Sequence, residues 1–323
     1  MESLIQDMIQ AGVPEDLAYE QCRLIERGVR YVDLFSSASI QNGISKLDAA
    51  QVDVLAESYD QRSQEVTVLK FVPASGAATR MFKDLISEWK TGEPNPGSDL
   101  FFEQLSDIPF AHLLDIAAAR EEILEQLLST ERLDMDNRPK GSILFHRYPD
   151  EVRTAFEEHL VEGVEYASSG GKVHLHFTLS PDHIEDVKSS LHAWAKDYAE
   201  RLDCTYDLQF SIQLPFTDTV PFDLQGRPLM NGERVLTRPG GHGSLIYNLN
   251  KLDADMIFIK NIDNVVPDKH RGDTVRYKKA LAGMLIEARK EARGMISDLK
   301  ASDDEATRAR AIHFLERMGL KLE

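Results

Sequence analysis

Four short segments bring glycines, small side chains and single charges together in the way phosphate and sugar chemistry requires. The first is Pro73-Ala-Ser-Gly-Ala-Ala-Thr-Arg-Met81. Ser75, Gly76, Ala77 and Ala78 leave its backbone open to a bulky ligand, Thr79 adds a hydroxyl, and Arg80 offers phosphate a planar cationic fork. The helix expected just after it would add free N–H groups and a dipole that favours an anion. No Gly-Lys-Ser/Thr follows, so the segment is not a P-loop. The second, Arg138-Pro-Lys-Gly141, holds Lys140 on a rigid corner, where a fixed point charge could meet phosphate. The third, Pro239-Gly-Gly-His-Gly243, sets Gly240, Gly241 and Gly243 around His242, and such a loop can lie flat beneath a planar base. The fourth, Asn261-Ile-Asp-Asn264, ends an apolar run with Asp263 and Asn264, a position from which a carboxylate can hold Mg²⁺ or a sugar hydroxyl. Each segment alone also has a plain structural reading, as a tight corner, a surface turn or a strand-end cap.

The surrounding pattern must place these segments together. Val66, Val68, Phe71 and Val72 predict a short strand, and Met256-Ile-Phe-Ile259 predicts a buried one. Val173, Leu175, Phe177 and Leu179 alternate with His174, His176 and Thr178, which predicts a half-buried strand, and Leu208, Phe210 and Ile212 predict another. Helical spacing follows Met81, recurs over 98–130, 150–167, 181–202, 271–299 and 305–318, and fills 1–62, with Ser45 as an expected N-cap. Gly226 falls in an expected turn. Strands alternating with helices predict an α/β fold, and three of the distinctive loops fall at strand-to-helix corners or strand ends, where such sheets bind ligands. The charged helix 271–299 could serve dimerisation, although alternating charge more often marks a solvated face.

Composition narrows the partners. Of 323 residues, 37 are Lys or Arg and 54 Asp or Glu, a net charge of −17. A field of that sign disfavours general binding of nucleic acid or an anionic membrane, so any phosphate site must be local. Cys22 and Cys204 cannot build a disulfide framework or a four-thiolate zinc site. The first ten residues, with Glu2 and Asp7, do not read as a secretory signal, and no window has the roughly 18 apolar residues of a membrane span. A cytoplasmic location is expected.

Taken in order, Ala74–Arg80, Pro139-Lys-Gly141, Pro239–Gly243 and Asn261–Asn264 resemble the UDP-sugar pyrophosphorylase type of nucleotidyltransferase, with Phe210-Ser-Ile-Gln213, Pro215 and Asp223–Arg227 resembling its segment before the glycine loop. More closely, the chain looks like the amino-terminal part of a bacterial family catalogued as a domain of unknown function and related to these enzymes. The resemblance covers roughly residues 65–268. It implies a Rossmann-like mixed sheet of glycosyltransferase-A type flanked by helices, with a helical N-terminal extension (1–62), an α/β domain (63–268, helical insertion about 92–137) and a helical C-terminal segment (269–323). It also implies transfer of a nucleotidyl group from a nucleoside triphosphate, UTP favoured, to a sugar 1-phosphate, giving a nucleotide sugar and pyrophosphate. Arg80, Lys140 and Asp263 would be catalytic, with Mg²⁺ on Asp263. Ser75, Gly76, Ala77, Thr79, Gln213, Gly240, Gly241, His242, Gly243 and Asn264 would bind the nucleotide. Three departures stand out: an alanine replaces the usual second glycine of the first loop, about sixty residues separate Arg80 from Lys140, and the relatives continue further, so a carboxy-terminal portion of the sugar pocket is expected to be missing. Alternative readings are a nucleotide-sugar-binding or glycosyl-transferring protein that releases no pyrophosphate, a non-catalytic interaction protein, and a metal hydrolase built from His174, His176, Asp182 and His183.

Overall fold

The structure, a computed structural model, describes residues 2–10, 12–28, 31–34, 36–40, 42–225, 227–232, 234–302 and 304–320, with the side chains of Ser3 and His242 outside the description. The chain folds as two compact units, Met1–Val29 with Thr67–Pro267 and Arg30–Val66 with Asp268–Glu323. The protein is mixed α/β, with a helical C-terminal region. Among the described residues no helix is long and apolar enough to cross a membrane.

The first unit is built on four parallel strands, β1 (Val68–Pro73), β2 (Lys172–Leu179), β3 (Tyr206–Ile212) and β4 (Met256–Ile259), in the order β4-β1-β2-β3. A two-residue strand, Ser168–Ser169, runs antiparallel to β2. The chain steps outward from β1 to β3 and then returns on the other side of β1 as β4. The order therefore reverses between β1 and β4, and in parallel sheets a crevice opens at such a reversal, outside the carboxyl ends of the strands. Those ends are Pro73 and Ile259, the entrances to the first and fourth segments.

β2 is buried on both faces rather than half-buried, because it is central. Helix Ala155–Tyr166 covers one face so closely that a Cβ on Gly163 would meet Leu175 Cδ2 at 2.8 Å. On the other face the His176 ring stacks on Phe71 of β1, with centroids 5.3 Å apart. The periodic region 150–167 becomes helical only at Ala155, where a reciprocal capping box fixes the start: Thr154 Oγ1 accepts from Glu157 N–H and Glu157 accepts from Thr154 N–H. Such a cap contributes about 1 kcal/mol.

Residues 98–130 are not one helix. Pro96–Glu103 and Arg120–Leu128 are joined by 3₁₀ turns around a cluster that includes Phe82, Leu85, Phe110, Leu127 and Ile143. Helices Glu2–Gln10 and Glu15–Arg27 bury Met8, Ala18 and Cys22 against Val220 and Val235.

In the second unit, helix Ala49–Arg62 starts at Asp48 rather than Ser45, since Asp48 and Gln51 form the capping box. It packs along helix Asp268–Ala301 so tightly that a Cβ on Gly283 would collide with the Leu55 carbonyl. Three charges of the long helix pair with it: Arg276 bonds Asp53 at 2.6 Å, Lys279 bonds Asp60 at 2.8 Å and Glu287 bonds Arg62 at 2.8 Å. Helix Glu305–Arg317, capped by Asp304, follows.

Candidate functional site

All four sequence segments meet at the carboxyl end of the sheet. The main chains of the first two pair directly: Ala78 N–H donates to Arg138 O at 3.1 Å and Lys140 N–H to Gly76 O at 3.0 Å, a bridge centred on Ala77 and Pro139. Thr79 Oγ1 adds a bond to Asp136 O at 3.0 Å. The sixty-residue spacer thus folds back on itself and returns Lys140 to the loop it left. Gly141 is needed for this return, because a Cβ there would meet the Phe156 ring at 2.6 Å.

The second and fourth segments meet through an ion pair, Lys140 Nζ to Asp263 Oδ2 at 2.5 Å, with both side chains partly open to solvent. The first and third meet through Gln213, one residue past β3. Its Oε1 accepts from Ser75 Oγ at 3.0 Å, and its amide donates to Gly240 O at 2.9 Å and Ser244 Oγ at 3.1 Å. Both amide protons are therefore engaged within the protein, and Gln213 sets the distance between the two loops.

The loop itself differs from the expected helix N-terminus. Ala78–Arg80 form a 3₁₀ turn and the helix begins only at Lys83. Free donors come instead from the N–H groups of Ser75, Gly76 and Ala77, which bond no acceptor among the described residues. Arg80 is exposed and forms no ion pair among the described residues. Gly76, Gly241 and Gly243 have negative φ and open space where a Cβ would stand, so nothing described around them demands glycine. Gly240 differs, since its Cβ would lie 2.6 Å from Thr217 O. Asn264 is exposed beside Asp263, with its N–H on Asn261 O. The His242 side chain and residue 226 lie outside the described residues.

Beneath the reversal point lies a cluster that the motif reading missed. Glu162 of helix Ala155–Tyr166 is 2% exposed and accepts from Lys70 of β1 at 3.1 Å, from Lys260 just past β4, and from Tyr166 Oη at 2.5 Å. Burial alone would raise its pKa, but the two ammonium groups outweigh that and hold it down to about 2. One turn earlier, His159 Nε2–H donates to Ile262 O at 3.1 Å. Burial, reinforced by Lys70, pushes the His159 pKa well below its ordinary value and keeps the ring neutral. One helix face thus clamps β1 to β4 and grips the backbone immediately before Asp263. The available signal was a lone lysine inside Val68-Leu-Lys-Phe-Val72, with a second closing Met256-Ile-Phe-Ile-Lys260.

The histidines of β2 do not form a metal centre. His174 has both ring nitrogens in hydrogen-bond contact within the protein, with Asp207 Oδ2 at 2.9 Å and Ser169 O at 3.1 Å. Among the described residues no three metal-ligating side chains cluster. Asp263 is a single carboxylate, a donor set suited to Mg²⁺ held mainly through substrate phosphates.

No curated protein and no solved structure matches the chain. A family model described as a domain of unknown function (DUF4301) matches residues 1–323, and the chain belongs to that family.

Proposed function

We propose that the chain is a nucleotidyltransferase of glycosyltransferase-A type that joins a sugar 1-phosphate to a nucleoside triphosphate, releasing pyrophosphate. The observation that carries this reading is the meeting of four loops, through Lys140–Asp263, Ala77–Pro139 and Ser75–Gln213–Gly240, at the point where the strand order reverses.

In this reading a phosphate oxygen of the sugar 1-phosphate attacks the α-phosphorus and the bond to the β,γ-pyrophosphate breaks. Such displacement depends on alignment and charge neutralisation more than on a protein nucleophile. The open N–H groups of Gly76 and Ala77 cradle phosphate oxygens. Arg80, exposed and unpaired among the described residues, offsets charge on the leaving pyrophosphate. Lys140 holds the α-phosphate or sugar phosphate once substrate draws it from Asp263. Asp263 with the substrate phosphates would hold Mg²⁺, which when bound would supply neutralisation of the phosphate charge. The open face over Gly241 and Gly243 seats the base, uracil by resemblance, with Gln213 fixing that loop against Ser75.

A pyrophosphate-release assay with UTP, the other nucleoside triphosphates and a panel of sugar 1-phosphates, with and without Mg²⁺, tests this directly. Release that requires both substrates and fails in Arg80→Ala supports it. Base-selective nucleotide binding without pyrophosphate release favours a nucleotide-sugar-binding or glycosyl-transferring protein. No thermal shift with any nucleotide or nucleotide sugar rejects the site.

A further inference from the structure

One edge of the parallel sheet is open. Among the described residues β3 pairs only with β2, in unbroken register over its whole length, and all its residues are partly exposed. The ladder fixes which of its main-chain groups are used. Val173 N–H donates to Thr205 O at 2.8 Å, so by the parallel pattern Asp207, Gln209 and Ser211 turn their N–H and C=O groups to β2. Those of Tyr206, Leu208, Phe210 and Ile212 turn outward. Asn248 Nδ2 meets Ile212 O from that side at 2.7 Å, as the alternation requires, and no other bond reaches the outward groups among the described residues. A cavity of about 520 Å³ runs beside Phe210 and Ile212, from Ile184 to Leu252. Ile184 opens the helix Ile184–Leu202, which covers the Phe210 face with His192 5.5 Å from that ring. Leu252 packs with Phe71, whose stack on His176 marks the opposite face. The open space therefore passes round the edge of β3.

Proteins normally blunt such an edge with proline, a bulge or an unpaired charge. β3 has none of these: its one charge, Asp207, is held by His174 at 2.9 Å and by Gln209 at 3.1 Å. The strand also complements itself. Turned antiparallel about Gln209, it sets Leu208 against Phe210 and Tyr206 against Ile212 as hydrogen-bonding pairs. Every outward N–H and C=O then has a partner, Ile212 O using its second lone pair. Asp207 falls opposite Ser211 and Gln209 opposite its own copy, so apolar residues meet apolar ones and no like charges face each other. We infer that β3 is a self-association edge, to which a second copy of this chain adds its own β3 antiparallel across a two-fold axis at Gln209. No residue of the phosphate cradle takes part, so the inference stands or falls independently of the nucleotidyltransferase reading.

Sedimentation equilibrium of the full chain tests this, in moderate salt to screen the net charge of −17 on each copy. Expected is a reversible monomer–dimer equilibrium at micromolar concentration, unchanged in Arg80→Ala. Gln209→Lys and Gln209→Glu each oppose like charges across the axis and should weaken it about fivefold or more. An equimolar mixture of the two should associate better than either alone. Leu208→Pro removes an outward N–H but no bond to β2, and should abolish the dimer in protein whose circular dichroism matches wild type. A mixture that associates no better than Gln209→Lys alone, or a folded Leu208→Pro chain that still dimerises, overturns the inference. So does a wild-type chain that stays monomeric, which leaves the edge to an extended segment of another protein.

Discussion

Replacing Glu162 by Gln tests whether the buried clamp holds β1 to β4. The amide keeps the shape and the bond from Tyr166, but Lys70 and Lys260, 0% and 8% exposed, lose their counter-charge. Removing one partner of a buried pair costs about 3–5 kcal/mol, because the remaining charge stays desolvated. The acid titration gives a second route to the magnitude. A carboxyl moved from 4.5 to about 2 contributes on the order of 3 kcal/mol to folding at neutral pH. The sign follows from the depressed folded value: this contribution is fully present above about pH 4.5 and is lost as pH falls through 2. At neutral pH Glu162→Gln should therefore lose about 3 kcal/mol, or on the order of 10 °C in melting temperature for a unit of this size. Both tryptophans, Trp89 and Trp194, lie within Thr67–Pro267, so intrinsic fluorescence during urea titration reports on that unit alone. A loss below about 1 kcal/mol would refute the clamp.

Other expectations follow from particular contacts. Arg80→Ala should lower turnover or triphosphate affinity on the order of 10²-fold, while its melting temperature stays within a degree or so of wild type, as measured by steady-state kinetics and calorimetry. Asp263→Asn should cost a similar factor in rate but no more than about 1 kcal/mol of stability, because its pairing with Lys140 is partly solvated. Gly240→Ala should destabilise by about 1–3 kcal/mol, since its methyl meets the Thr217 carbonyl, whereas Gly241→Ala should leave the urea midpoint unchanged and weaken only nucleotide binding. Burial holds the His176 pKa down to about 4, against the opposing pull of Gln209, so the ring is neutral when folded and takes a proton more readily when unfolded. Stability should fall between about pH 6.5 and 4, and His176→Gln should flatten that slope in urea midpoints measured against pH.

The positions of the site loops were legible in the sequence because glycines and fixed charges leave local marks. Ala74–Arg80, Pro139–Gly141, Pro239–Gly243 and Asn261–Asn264 do lie together. The alternation of β2 revealed the strand but not its second buried face, because His174, His176 and Thr178 read as solvent-facing, whereas the His176 ring stacks on Phe71 of the neighbouring strand and is buried. The Lys70–Glu162–Lys260 cluster spans 190 positions of sequence, and no window contains it. The start of the helix after the first loop was not legible, because helical spacing does not distinguish a 3₁₀ turn at Ala78–Arg80 from the helix that follows at Lys83. The partners of the long helix were likewise invisible: Asp53, Asp60 and Arg62 lie more than 200 residues upstream of Arg276, Lys279 and Glu287.

The interleaving of the two units gives synthesis an awkward order. Helix Ala49–Arg62 leaves the ribosome early, yet the long helix that receives it emerges only after about two hundred further residues. At about 5–20 residues per second, the early helix waits on the order of 10–40 s with its packing surface bare, while the Thr67–Pro267 sheet can already form. That interval is when the nascent chain is most open to a holding chaperone, and slowing translation past residue 267 should lengthen it.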